Sequence, residues 1–280
     1  MTGAIAYAEV IGDPIGHSLS PLIHRHWLCR SGAPDDYRAR KVTALSLAEY
    51  LWEARGDKLW RGCNVTAPLK TAILPHLDRL DAAAEATGAV NLVVRDGGAL
   101  VGRNSDVAGV LAALRNTDLS GRRAVLIGAG GAAAAAAHAL RRLGINELVV
   151  LARRPDAAAR LGAPETFDRA DRALDGASLV VNATPLGMTH APAMPGSLLS
   201  ALSQTAAGAI ALDMVYRPLL TPFLRAARDR GLVAHDGLHM LIGQARPAFN
   251  LFFGRPAPAD NSALRAALQQ AALASPQFGA

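Results

Sequence analysis

A glycine-rich turn between an apolar run and a run of alanines constrains this chain more than any other stretch. Ala124-Val125-Leu126-Ile127 is a short continuous apolar segment suited to a strand buried on both faces of a parallel sheet. Gly128-Ala129-Gly130-Gly131-Ala132-Ala133 follows at once. A tight strand-to-helix turn favours glycine. Gly128 allows the turn, Gly130 lets backbone approach a pyrophosphate, and Ala133 is small enough for close packing of helix on strand. The helix N-terminus then offers N–H groups and the positive end of its dipole to an anion. A glycine loop can also be plain turn chemistry, and it is the flanking strand and helix that favour a nucleotide-binding unit.

With 280 residues, two domains of ordinary size are expected. Hydrophobic residues at 51% and charged residues at 19% place the chain among globular proteins rather than disordered ones. A net charge of +6 suits anionic ligands, but the arginines are scattered and form no long basic run, which argues against a nucleic-acid partner. Cys29 and Cys63 lack metal-ligand or redox spacing, so neither a disulfide framework nor a metal site is expected, and a reducing compartment is the simpler reading. Met1 to Ile11 lacks a basic region followed by a long apolar stretch, so no leader is expected, and no run approaches the roughly 18 apolar residues that span a bilayer. A cytoplasmic protein with no membrane partner, monomer or homodimer, is expected.

Along the chain, Tyr7–Gly12 reads as a strand leading into Asp13-Pro14-Ile15-Gly16-His17-Ser18-Leu19-Ser20, after which Pro21 opens a helix to about Arg30. Ser20 suits the cap of that helix, whereas Ser18 has no such duty; two hydroxyls just before a helix N-terminus can both donate to a carboxylate. His24 and His26 are two residues apart and point to different sides of a helix, which disfavours a metal site. Tyr37–Val42 reads as a strand, Leu45–Ala54 as an amphipathic helix, and Trp52 and Trp60 as packing residues. Gly62 to Lys70 reads as a third strand turning into a helix at Pro68. A lysine at a helix start is disfavoured by the dipole. Lys70 is thus either a solvated surface charge or a functional one.

A polar helix face follows at 81–85, then the turn Gly88 to Asn91, a strand at Leu92–Val94, a Gly97-Gly98 hairpin and a strand at Ala99–Gly102. Arg103-Asn104-Ser105-Asp106 opens a helix over Val107–Leu114; Asp106 suits its cap, as Asn91 suits its turn. The polar stretch 115–123 is a candidate crossing between domains. Glu147–Leu151 reads as the second strand of the nucleotide unit and ends in Ala152-Arg153-Arg154. An acid at this place binds the free ribose hydroxyl of NAD, whereas arginine accommodates the phosphate of NADP, so NADP is favoured. A short helix with turns is expected over 160–176, a buried strand over 178–182, a long loop over 184–195 and a last clear strand at Ile210–Asp213. Helices are expected at Thr221–Arg230, Gly237–Phe253 and Asn261–Ala274, with the end from Ser275 frayed.

Taken together, these motifs closely resemble the shikimate dehydrogenase family over nearly the whole chain. The resemblance rests on Gly12 to Pro21, Asn64-Val65-Thr66-Ala67-Pro68-Leu69-Lys70, Gly88 to Asn91, Asn104-Ser105-Asp106, Gly128 to Ala132, Asn182-Ala183-Thr184, Asp213-Met214-Val215-Tyr216 and Gly237 to Gln244, in that order. It implies NADPH-dependent, reversible reduction of 3-dehydroshikimate to shikimate in the pathway to aromatic amino acids. It also implies an α/β fold of two domains with the active site in the cleft between them: a substrate domain of residues 1–104 plus 237–280, and a Rossmann-like NADP domain of residues 105–236. Lys70 and Asp106 would form the catalytic pair. Ser18, Ser20 and Tyr216 would hold the substrate carboxylate, and Thr66, Asn91, Asp106 and Gln244 its hydroxyls. Gly128, Ala129, Gly130, Gly131, Ala132, Arg153, Arg154, Met214 and Gly237 would hold the cofactor.

The chain departs from the family's usual pattern in three places. Ala152-Arg153-Arg154 stands where Asn-Arg-Thr is usual, Val107 where glycine is usual after the aspartate, and Leu92 where threonine is usual after the asparagine. The first alters the NADP contacts although their charge survives, and neither of the other two removes a chemical group assigned above. Ser20, serine rather than threonine, is similar to the shikimate-specific members; the alternatives are a quinate/shikimate dehydrogenase or a non-catalytic NADP-binding regulator on the same fold.

Overall fold

The computed structural model describes residues 5–273, so the expected fraying from Ser275 onward lies outside the described residues. The chain divides into two compact units, residues 1–105 with 244–280 and residues 106–243. The polar stretch 115–123 lies inside the second unit.

The first unit is built from β1 (Tyr7–Gly12), α1 (Ser20–Arg30), β2 (Asp36–Lys41), α2 (Leu47–Gly56), β3 (Trp60–Val65), α3 (Leu69–Ala72), β4 (Arg79–Leu80), α4 (Ala82–Thr87), β5 (Leu92–Asp96) and β6 (Ala99–Arg103). Its sheet runs β2-β1-β3-β5-β6-β4, with β1 parallel to β2 and β3, and the β5–β6 hairpin antiparallel to β3 through β5. Ile11, Cys63, Val65 and Val93 contribute to its core. Trp60 is buried in that core, whereas Trp52 projects from α2 at the surface with 76% of its area exposed. Helix α1 begins at Ser20 itself, and Leu19 occupies the cap position with helical backbone. The expected cap by Ser20 is therefore not made; its N–H donates to Ser18 Oγ at 3.3 Å. The two-residue strand β4, too short for any periodicity, follows a 3₁₀ turn at Leu74–His76 and precedes Asp81, which caps α4 by accepting from Ala84 N at 2.8 Å.

The second unit comprises α5 (Asp106–Ala113), β7 (Arg123–Ile127), α6 (Gly131–Arg142), β8 (Glu147–Leu151), α7 (Pro155–Ala158), β9 (Ala163–Glu165), α8 (Ala170–Leu174), β10 (Leu179–Asn182), α9 (Gly196–Ala201), β11 (Ile210–Asp213), α10 (Pro222–Asp229), β12 (Val233–His235) and the first turns of α11 (Gly237–Phe253). Its six strands are all parallel in the order β12-β11-β10-β7-β8-β9. Counted from β7, this is the doubly wound order 3-2-1-4-5-6, whose direction reverses between β7 and β10. The continuous apolar runs of β7 and β10 follow from burial on both sheet faces: Val125, Leu126, Val180 and Val181 have no exposed surface. Two short edge strands escaped the sequence reading. β9, within the segment expected as helix and turns, contains Pro164, which an edge tolerates, and β12 follows the strand expected to be last. Asp106, expected as a cap, is instead the first residue of α5.

Helix α11 ends in the first unit, where α12 (Ser262–Leu273) packs against α1. Trp27 Nε1 donates to Asn261 Oδ1 at 2.9 Å, tying the start of α12 to α1.

Candidate active site

In the first unit, loops at the carboxyl ends of β1 and β3 carry the first group of candidate residues. Thr66 N donates to Ile11 O at 3.0 Å, bringing the Thr66-to-Lys70 turn alongside the loop that holds Ser18 and Ser20. The approach is close enough to require glycine: a Cβ on Gly12 would lie 2.5 Å from Thr66 Cγ2. Val65 N donates to Asn91 O at 2.8 Å and Val90 N to Lys70 O at 2.8 Å, which joins the Asn91 turn to the same edge. Lys70 is half-buried on the short helix α3.

Asn91 is buried and does more than close its turn. Its Oδ1 accepts from Ser105 N at 2.7 Å, its Nδ2 donates to Ser105 Oγ at 3.0 Å, and Ser105 Oγ donates onward to Gln244 Oε1 at 3.3 Å. Ser18, Ser20, Thr66, Lys70, Asn91 and Gln244 are thus brought to one part of the first unit by contacts within it. Two residues that the sequence reading passed over organise this group. Tyr37 O–H donates to Asn64 Oδ1 at 2.7 Å, and Asn64 Nδ2 donates to Asn91 O at 3.2 Å. The signal for Asn64 was present, a polar residue in the otherwise apolar end of β3. Tyr37 also takes a hydrogen bond from Ser20, and burial drives its hydroxyl well above the usual phenol range, so it stays neutral. Ser18 Oγ accepts from Ser20 N, a bond that leaves the Ser18 O–H proton for a ligand.

Asp106 and Tyr216 belong to the second unit. Asp106, buried at the start of α5, is peptide-bonded to Ser105 of the network just described; Tyr216 is half-buried in the loop after β11. The cofactor candidates gather at the carboxyl ends of β7, β8 and β11. Gly128 has φ +114° and its N–H donates to Leu151 O at 2.8 Å, so the glycine loop meets the end of β8 just before Arg153 and Arg154. A Cβ on Gly128 would lie 2.8 Å from Thr184 Cγ2. At Gly130, the cap position of α6, a Cβ would meet nothing within 4 Å, so a ligand can approach the backbone at the head of the helix. Met214 is half-buried and takes its register from the hydrogen bond that its N–H donates to Asn182 O at 3.0 Å, and Gly237 lies at the head of α11.

These residues fit NADP. The turn and α6 offer backbone donors to a pyrophosphate, both Arg153 and Arg154 are exposed beyond the end of β8, and Ala152 rather than an acid follows that strand. Among the described residues, no three His, Cys, Asp or Glu side chains are grouped as a metal ion would require. No described helix is long and apolar enough to cross a membrane.

Comparison with known proteins bears on the whole chain. The shikimate dehydrogenase substrate binding domain matches residues 10–93, and the shikimate 5'-dehydrogenase C-terminal domain matches residues 237–261. A shikimate dehydrogenase (NADP(+)) of Sphingopyxis alaskensis is 45% identical over 260 residues, covering 91% of this chain and 93% of that protein. The crystal structure of a shikimate 5-dehydrogenase from Thermus thermophilus, in complex with NADP(H) and shikimate, superposes with a TM-score of 0.79 at 34% identity over 96% of this chain and 98% of that one. A shikimate 5-dehydrogenase from Listeria monocytogenes in complex with shikimate and NAD gives 0.81 at 30% identity over 92% and 95%. Nine-tenths of the sequence and both units are accounted for by these relatives, and the chain belongs to the shikimate dehydrogenase family.

Proposed function

We propose that this chain is a cytoplasmic, NADP-dependent shikimate dehydrogenase that interconverts 3-dehydroshikimate and shikimate on the route to aromatic amino acids. The observation that carries the reading is the grouping in the first unit of a half-buried lysine, Lys70, with the hydroxyls and amides of Ser18, Thr66, Asn91 and Gln244. That set matches a small, polyhydroxylated carboxylate. Its Asn91–Ser105–Gln244 bonds fix two amides before any ligand arrives, which lowers the ordering cost of binding.

Bound NADPH supplies the hydride. The oxygen of the reduced carbonyl then needs a proton, since an alkoxide left uncompensated in a closed site is costly. Lys70 donates that proton, and in the reverse direction takes it back. Asp106 orients the Lys70 ammonium and accepts from a substrate hydroxyl. Ser18, Ser20 and Tyr216 hold the carboxylate through their hydroxyls, with Ser20 turning its proton from Tyr37 to do so. Met214 and Gly237 bound the nicotinamide side of the site. Arg153 makes paired, charge-assisted bonds to the 2′-phosphate, with Arg154 beside it.

The test is the rate of dinucleotide reduction at 340 nm with shikimate or quinate, each with NADP or NAD. Rapid NADP reduction with shikimate is expected, with the other three combinations far slower. No turnover of shikimate with either dinucleotide, despite NADPH binding, would support a regulator instead, and comparable rates with quinate would support the broader dehydrogenase.

A further inference from the structure

Asp213, the last residue of β11, has no exposed surface and none of the site assignments uses it. Its Oδ1 accepts from Asn182 Nδ2 at 3.0 Å and from Val215 N at 2.9 Å, and its Oδ2 accepts from Thr221 Oγ1 at 2.6 Å. Each donor lies on a different segment: the end of β10, the Met214-to-Tyr216 loop, and the cap of α10. Burial pushes this carboxyl up to about 6, and the bonds from Thr221, Val215 and Asn182 work against that rise.

From the three donors the connections run to the cofactor candidates. Asn182 Oδ1 accepts from Thr184 Oγ1 at 2.6 Å and Thr184 N at 3.1 Å. The Thr184 methyl is the group that a Cβ on Gly128 would strike. On the other side, a Cβ on Gly237 would lie 2.6 Å from Val215 O and 2.8 Å from Met214 O, so the loop that Asp213 holds by Val215 N is packed against the head of α11. One carboxylate therefore ties together the surroundings of Gly128, Met214 and Gly237.

We propose that Asp213 is a positioning residue for the dinucleotide: through Asn182 and Thr184 it sets the backing of the glycine loop, and through Val215 it sets Met214 against Gly237. The proposal rests on the NADP assignment of these loops. Oδ1 does most of this, because it alone meets two donors on two loops. An asparagine at this position keeps an oxygen there and turns its nitrogen to Thr221 Oγ1, which can accept instead. An alanine leaves the Asn182, Val215 and Thr221 donors without their acceptor.

The experiment measures NADPH dissociation constants by nicotinamide fluorescence without substrate, and shikimate dissociation constants by calorimetry without cofactor. D213N is expected to bind NADPH within about threefold of wild type and D213A at least tenfold more weakly, while shikimate, which meets this loop through Tyr216 alone, loses less than about threefold in D213A. T184V keeps the methyl against Gly128 and loses only the hydroxyl, so it folds even where D213A does not; it is expected to weaken NADPH threefold to tenfold. Wild-type NADPH affinity in a folded D213A or in T184V would overturn the proposal. So would a D213N as weak as D213A, or a loss shared equally by NADPH and shikimate. A wild-type chain that binds no NADPH would instead overturn the cofactor assignment on which the proposal stands.

Discussion

Acidification should destabilise this protein through one histidine, His24. The side chain is fully buried on α1, its ring stacked on Tyr37 with centroids 4.0 Å apart and planes 4° from parallel. Trp27 and Phe249 close around it, and neither ring nitrogen has a protein hydrogen-bond partner. Burial lowers its pKa from 6.5 to about 3, and Tyr37, the titratable group against its face, is itself held neutral. The folded chain therefore keeps the ring neutral while the unfolded chain takes up a proton below pH 6.5. Its contribution is fully present above pH 6.5 and is lost as the pH falls towards 3, amounting to about 2 kcal/mol at pH 5 and about 5 kcal/mol at full protonation. His24→Phe keeps the aromatic stack and removes the titration. Urea unfolding of both proteins at pH 8, 6.5 and 5 isolates the effect, because every other titrating group is common to them. At pH 8 the two should agree within about 1.5 kcal/mol. At pH 5 wild type should have lost about 2 kcal/mol more than the variant. Parallel stability curves across that range would refute the reasoning.

Three further changes address the proposed site. Lys70→Ala should lose about 10²- to 10⁴-fold in turnover while still binding shikimate measurably; near-normal turnover with only a raised KM would make Lys70 a binding residue. Ser18→Ala should weaken shikimate binding by roughly 1.5–3 kcal/mol, read by calorimetry, and unchanged affinity would remove Ser18 from the carboxylate site. Arg153→Ala should raise KM for NADP and leave the NAD reaction nearly untouched; equal damage to both reactions would take the 2′-phosphate away from Arg153.

What the sequence made legible follows the physics of each element. β7 and β8 are apolar runs ended by a glycine loop or by arginines, and they stand where periodicity placed them. The edge strands β4, β9 and β12 are two or three residues long and owe their existence to a neighbour's backbone rather than to their own pattern. Ser20 followed by Pro21 reads as cap and first turn, but Leu19 already has helical backbone, which draws Ser20 inside the helix and beneath its neighbours. The Asn91 and Gln244 amides meet through Ser105, itself 139 residues from Gln244, a separation that no local pattern encodes. Asp213 and Asn64 stand in the family's motifs but carry no role there that the sequence states; their partners emerge from the sheet order, which sets β10 beside β11 and β3 beside both β1 and β5.

The alanine run behind the glycine loop bears on how this protein can drift. Ala133, Ala135, Ala136, Ala137 and Ala139 of α6 have no exposed surface, and Ala134 has 4%. Alanine loses no rotamer freedom on burial and offers no alternative rotamer. The seat of α6 on the sheet therefore has no internal degrees of freedom through which neighbours could accommodate a change; a larger side chain must move the backbone itself, and with it the anion-facing end of the helix. Across generations such a helix can exchange alanine for little besides glycine or serine, while the exposed faces of neighbouring helices vary freely.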